Sequence, residues 1–392
     1  CFLITMRNLA NIFRYVLLMI LHGIYFVLHF FIQKNNNTLL FFSTGHTFTD
    51  NLGLFHDFVL KMDNAEAIIL VKNKSLYNNL KLEFPNVFLM NSFMGLFQFL
   101  KHKKIIIDNG DARLFFFPYY LHPNYQLIIN LWHGIPLKKL GRSVVKRNEE
   151  SLEIQFQTYS YFTVSSEFEK KLIHSCYTVT EDIWVTGSPR NDELTKNNFA
   201  LLQDYPFLNK KTILYAPTWR EQGNKSAFFP FKDKDLVKLN KFLENQDAYL
   251  LLRGHREEMK YLSDKNPMNF TRILAAHQDV FSEVQHLLPY VDVLLTDYSS
   301  IYLDYLLLNK PIIFMPYDIK EYTKYRGFLF DYYKYSPGPK VNSQEDLIRE
   351  LETSLNKPNN YASYRSEISD VFHKFKNGGA CQRIYDEIKK LN

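Results

Sequence analysis

With 392 residues the chain is too long for one ordinary core and fits two α/β domains. Hydrophobic residues at 46% and aromatics at 16% exclude a largely disordered chain and predict cores rich in Phe and Tyr. The balance of 47 basic against 41 acidic residues leaves +6, which suits an anionic partner such as lipid head groups, polyphosphate or nucleotide and is too mild to indicate nucleic acid alone. Cys1, Cys176 and Cys381 show neither paired nor CxxC spacing, so no disulfide scaffold or zinc site is indicated.

In chain order, the first feature is an almost wholly apolar run, Tyr15–Ile32, preceded by Arg7 and Arg14 and followed by Lys34. At about 1.5 Å per residue a helix of this length is only marginal for a bilayer span. The run predicts a helix lying in or against the cytoplasmic leaflet, with a true span or a helix buried in the protein as alternatives. Short apolar runs follow at Thr38–Phe42, Ala67–Val71, Val87–Met90, Lys104–Ile107, Leu127–Leu131, Phe162–Val164 and Ile183–Val185. Each is bounded by Gly, Asn, Asp or Pro, the pattern of parallel strands covered on both faces. A polar stretch from Asn191 to Lys211 separates these from a second series at Thr212–Tyr215, Tyr249–Leu252, Val293–Leu295 and Ile312–Phe314. The simplest assembly is two Rossmann-like domains facing across a cleft. Residues 1–34 then form the membrane-associated helix, 35–205 an acceptor-side domain and 206–392 a nucleotide-donor domain. Ligands of such sheets bind beyond the carboxyl ends of the strands.

The polar oddities fall at those ends. Trp132-His133-Gly134-Ile135-Pro136 follows a strand, and a histidine there can take a proton near neutral pH. Gly134 permits close approach of a substrate, and the alternative for His133 is a core residue capping the strand end. Next comes a basic run, Lys138, Lys139, Arg142, Lys146 and Arg147, with no acid among them. It reads as an acceptor or membrane anion site, or else as a solvated helix face. Tyr215-Ala216-Pro217-Thr218-Trp219-Arg220 follows another strand and places Thr218 at a nucleotide pocket or in a structural turn. Asp233-Lys234-Asp235 resembles a metal motif but sits in a Lys-rich segment and is read as solvated surface; no metal or cofactor site is evident. Arg253-Gly254-His255-Arg256 ends a further strand, where Arg253 and His255 could hold phosphate oxygens, or the cluster could merely pair with Glu257.

The strongest local signal is Asp292–Ser300, a buried strand ending in Thr296-Asp297-Tyr298-Ser299-Ser300 before a helix expected over Ile301–Leu308. Free amides and hydroxyls at that turn suit a pyrophosphate, with plain serine capping as the alternative. Asp304, one turn into the helix, either reaches ribose hydroxyls or faces solvent. There is no P-loop, GxGxxG or GxSxG.

Taken together, Trp132–Lys138, Thr186-Gly187-Ser188-Pro189-Arg190-Asn191-Asp192, Tyr215–Arg220, Arg253–His255 and Thr296–Ser300 occur in order. With the tail Arg326–Asp331 and Ser336–Pro339, the set resembles the CDP-glycerol glycerophosphotransferase family of teichoic-acid primases and polymerases, from about residue 40 to about 385. The resemblance implies a GT-B-like fold, peripheral attachment to the inner membrane face, and transfer of glycerol phosphate from CDP-glycerol to a lipid-linked or polymer acceptor with release of CMP. It implies His133 as base, His255 at the transferred phosphate, and Asp297, Ser299 and Ser300 at the donor. Ile135 and Arg256 depart from the family's usual Thr and Pro, which bears on acceptor identity and not on reaction type. Rival readings are a GT-B glycosyltransferase using a UDP- or GDP-sugar, and a non-catalytic membrane-bound polymer-binding protein.

Overall fold

A computed structural model describes residues 27–28, 30–43, 45, 47–62, 65–108, 126–144, 159–177, 179, 181–196, 199–218, 228–254, 270–277 and 280–391. Two all-parallel sheets organise them. The first has seven strands in the order β3-β2-β1-β4-β5-β6-β7: β1 Asn35–Ser43, β2 Ala67–Val71, β3 Val87–Leu89, β4 His102–Ile107, β5 Leu127–Asn130, β6 Tyr161–Val164 and β7 Asp182–Val185. The second has five in the order β10-β9-β8-β11-β12: β8 Lys211–Tyr215, β9 Ala248–Leu252, β10 Ile273–Ala275, β11 Val293–Thr296 and β12 Ile312–Phe314.

Both faces of each sheet are covered, which is why the strands read as continuous apolar runs. In β1, Leu40 and Phe42 join one core with Ile105, Ile107 and Ile128, while Leu39 and Phe41 point to the opposite core with Ile106 and Ile129. The second sheet repeats this, with Leu214, Leu251 and Leu294 on one side and Ile213, Leu250 and Leu295 on the other. Each such side chain contributes about 1.5–3 kcal/mol by leaving water. The helix Ala380–Lys389, last in the chain, returns to the first sheet. Its Cys381, Ile384 and Ile388, spaced to share one face, pack with Leu39 and Phe41.

The order of strands reverses between β1 and β4 in the first sheet and between β8 and β11 in the second. These are the two switch points where parallel sheets leave a crevice.

Each expected strand is present to within a residue or a few at its ends. The sequence missed β10, a short edge strand of half-exposed Ile273 and Leu274 with exposed Ala275, too brief and too little buried to stand out. The expected helix over Ile301–Leu308 is α-helical only to Tyr305 and tightens into a 3-10 turn at Leu306–Leu308, ended by left-handed Asn309. The polar stretch after Asn191 is not bare linker, since Leu194 and Leu208 are buried. The apolar N-terminal helix is not shown: residues 15–26 and 29 of that run lie outside the described residues. Among the described residues no helix is long and apolar enough to cross a membrane.

Candidate active site

Both switch points open onto one cavity of about 500 Å³. From the first sheet come Ser43 and Asp50 beyond β1, Asp108 beyond β4 and His133 beyond β5. From the second come Arg253 beyond β9, Glu283 and Gln285 beyond β10, and Ser299, Ser300 and Asp304 beyond β11.

His133 is reached through a strained turn. Trp132 has φ +57, a left-handed conformation costly for an aromatic residue. Side chains hold it there: the Trp132 N–H donates to Asn130 Oδ1 at 2.8 Å, and Asn51 Nδ2 donates to the Trp132 carbonyl at 2.8 Å. The turn throws the His133 ring into the cavity. Its Nδ1 lies 3.2 Å from the Asp108 carbonyl. A carbonyl only accepts, so Nδ1 carries the proton and Nε2 is left as a lone-pair base. Surrounding protein disfavours the imidazolium and holds the His133 pKa below its ordinary value; the Arg190 charge acts in the same direction. The ring is therefore neutral at pH 7.

Carboxylates gather on the same side. Burial, reinforced by the Asp50 charge, pushes Asp108 up to about 7. Glu283 is also raised, first by burial, and its Oε1 accepts from the Asp50 N–H at 3.0 Å. Arg190 offsets this concentration of acid. Its Nη1 donates to the His133 carbonyl at 2.8 Å and lies 3.3 Å from Asp50 Oδ2, while Nη2 donates to Asp304 Oδ2 at 2.6 Å.

The donor-side residues of the second sheet are differently arranged. Ser299 and Ser300 are half-buried at the cavity wall, and Ser300 makes no side-chain capping bond, so plain capping does not occupy its hydroxyl. Arg253 spends Nη1 on the carbonyls of Ala276 at 3.0 Å and Phe281 at 2.8 Å. That fixes the guanidinium at the cavity. Asp297 and Thr218 stand behind the wall and do not line it. Asp297 is fully buried, and its Oδ1 accepts from the N–H groups of Thr218, at 2.7 Å, and Tyr298. It shapes the serine turn from below.

Three of the features singled out in the sequence gain a structural setting here. Asp304 does not face solvent: it is 1% exposed and ion-paired to Arg190. Gly134, at φ +113, makes room for the Arg190 guanidinium, which a Cβ would strike. Asp233-Lys234-Asp235 is exposed, as the sequence suggested, and its acids meet helix starts. Asp233 accepts from the N–H groups of Gln344 and Glu345, and Asp235 from that of Lys238.

His255, Arg256, Trp219, Arg220, Lys146 and Arg147 lie outside the described residues. Lys138 and Lys139 do not reach the cavity. Their backbone pairs with Gly327–Leu329, through Lys139 N–H to Gly327 O at 3.2 Å and Leu329 N–H to Leu137 O at 3.0 Å, and ties the histidine turn to the second half of the chain. Arg142 is exposed on a 3-10 turn. Asp50, Asn51, Asp108, Arg190, Glu283 and Gln285 have no role assigned from sequence. Only Arg190 carried a signal, as part of Thr186–Asp192. In that segment Ser188 donates to Asn51 Oδ1 at 2.8 Å, and Asp192 accepts from the Ala380 and Cys381 N–H groups, capping the last helix.

Comparison with known proteins matches this arrangement to one family. The profile described as CDP-Glycerol:Poly(glycerophosphate) glycerophosphotransferase covers residues 24–390. A teichoic acid glycerol-phosphate transferase of Staphylococcus aureus is 26% identical over 94% of this chain and 97% of its own length. A teichoic acid poly(ribitol-phosphate) polymerase of Bacillus spizizenii is 32% identical over 74% of this chain, which spans 47% of that longer protein. Among solved structures, a variant of the wall teichoic acid polymerase TagF soaked with CDPG superposes with TM-score 0.78 at 25% identity, covering 98% of both chains. The UDP co-structure of Staphylococcus aureus MnaA, at 14% identity and TM-score 0.57 over 90% of this chain and 96% of that one, shares the fold alone.

Proposed function

This chain belongs to the CDP-glycerol:poly(glycerophosphate) glycerophosphotransferase family, and on that premise we propose that its cavity moves glycerol phosphate, or a related polyol phosphate, from a CDP-linked donor to a membrane-associated acceptor. The protein is a transferase of teichoic-acid-type polymer synthesis. The finer reading rests on one observation: His133, with Nδ1 turned to the Asp108 carbonyl, lines one cavity with Ser299, Ser300 and Arg253.

In the proposed reaction the acceptor hydroxyl gives its proton to His133 Nε2 as its oxygen attacks the β-phosphorus. The new O–P bond forms as the bond to the bridging oxygen breaks, and CMP departs with that oxygen. Ser299, Ser300 and Arg253 steady the charge on the donor phosphates, and His255 is assigned to the transferred phosphate. Such transfer depends on positioning and electrostatics. We divide the chain near residue 205 into an acceptor-side and a donor-side domain of GT-B type, with the last helix crossing back. Attachment is peripheral, at the cytoplasmic face of the membrane, through the apolar run Tyr15–Ile32 and the cations Lys138, Lys139, Arg142, Lys146 and Arg147, each worth on the order of 1 kcal/mol near an anionic surface.

The test is mass spectrometry of products from a panel of CDP-polyols and UDP-sugars with a lipid-linked acceptor. A polyol-phosphate adduct with release of CMP is expected. Transfer of a sugar from UDP would overturn the reading in favour of a glycosyltransferase.

A further inference from the structure

We infer that Arg190 is the positioning residue that keeps the His133 turn in register with the donor-side helix Ile301–Tyr305, so that base and donor phosphate hold one separation. This rests on the reading of His133 as the base. The residue starts from the first half of the chain, in the 3-10 helix Pro189–Thr195 that follows β7. Its guanidinium crosses to the second: one nitrogen is bound to the carbonyl of the base residue itself, at 2.8 Å, and the other to Asp304, at 2.6 Å. The side chain is 10% exposed, so the pairing is little screened. Asp50 completes a set of three acceptors divided between the two terminal nitrogens of one guanidinium. A guanidinium fork meets such a set; an ammonium offers the charge without the geometry.

The surroundings are shaped to receive it. Gly134, next to the base, has left-handed backbone and no Cβ, and the guanidinium lies against that gap. The Arg190 N–H donates to Asn51 Oδ1 at 2.9 Å, and the amide of the same Asn51 holds the strained Trp132 carbonyl. Backbone and side chain of Arg190 thus grip the turn from both ends. Displacing a reacting group by about 1 Å can cost roughly 100-fold in rate.

The test compares Arg190→Lys, Arg190→Gln and Gly134→Ala with His133→Ala in the full chain, reading kcat, KM, calorimetric CDP-glycerol affinity and the pH profile of kcat. Arg190→Lys is expected to lower kcat about 100-fold with donor affinity nearly unchanged. Gly134→Ala should imitate it by displacing the guanidinium, and the double variant should be little worse than either single one. The charges felt by His133 are those of Arg190, Asp50 and Lys138, while Asp108 meets the ring through its backbone carbonyl and shares the cavity wall with it. Removing one cation should let the ring protonate more easily, so Arg190→Gln should move the acid limb to higher pH, while Arg190→Lys restores the limb and not the rate. A merely structural residue would move neither. Near-normal kcat in folded Arg190→Lys, or a loss confined to donor affinity, would overturn the inference. If Arg190→Lys does not fold, a folded Gly134→Ala with full kcat does the same. An active His133→Ala would instead sink the base reading, whatever the Arg190 variants show.

Discussion

The two walls of the cavity are built on different principles. The His133 wall is assembled from Asp50 and Asn51 beyond β1, Asp108 beyond β4, the turn beyond β5 and Arg190 beyond β7, every group tied to another. The serine wall is mostly one strand, one turn and one helix, with Asp297 bracing it from behind and Arg253 joining it from beyond β9. The difference matches the tasks proposed for them. A base must be fixed in tautomer and distance, whereas phosphates can be met by several amides and hydroxyls at once. Substitutions should therefore act on turnover at the first wall and on donor affinity at the second.

The largest expected effect is at the base. His133→Ala should lower kcat by about 100- to 10,000-fold in a protein that still folds, since the ring lines the cavity and packs against the outer side of the core through Trp132. A folded variant with near-normal turnover would erase the distinction between the walls. Leucine at both Ser299 and Ser300 should raise the donor KM by about 100-fold and spare kcat at saturation, from lost hydrogen bonds to charged oxygens. Unchanged CDP-glycerol binding in a calorimeter would remove the donor from this wall. Asn51→Ala should lower kcat about 10-fold and stability by about 3 kcal/mol, because it strips partners from Trp132 O, Ser188 and the Arg190 N–H. Denaturant unfolding and steady-state kinetics together check it; a stability loss without a rate loss would make the network structural only.

The smallest effect on activity is expected from Glu169, on the helix Glu167–Cys176 near the Arg190–Asp304 pair but outside the cavity lining. Burial pushes its carboxyl up to about 8. The folded state then holds a proton that the unfolded chain has released above its ordinary value of 4.5, so stability falls as pH rises from about 4.5 to 8. Glu169→Gln should flatten that slope and raise the melting temperature at pH 8 while leaving kcat unchanged. An equal slope in both proteins would remove Glu169 as its source.

The same contrast explains what the sequence disclosed. The serine wall is local: an apolar strand, then Thr296–Ser300, then a helix, all within reach of pattern reading. His133 was visible because a strand end and a glycine flank it. Its supports were not, because Asp50, Asn51, Asp108 and Arg190 meet only after β1, β4, β5 and β7 align in one sheet. An Asp-Asn pair at a helix start reads as capping, and an aspartate after a strand reads as loop. The alternatives for Asp304 stayed open for the same reason. Its partner stands 114 positions earlier in the chain, so nothing local distinguishes it from a solvent-facing acid.

Base catalysis by His133 turns on the protonation of one ring, which nitrogen-15 NMR of histidine-labelled protein reads directly, with His133→Gln to assign its signals among the 12 histidines. It predicts a neutral His133 protonated at Nδ1, with a pKa below the ordinary 6.5. A ring protonated at Nε2 alone, or one that titrates above 6.5, would contradict it, because the atom assigned to take the acceptor's proton would already hold one.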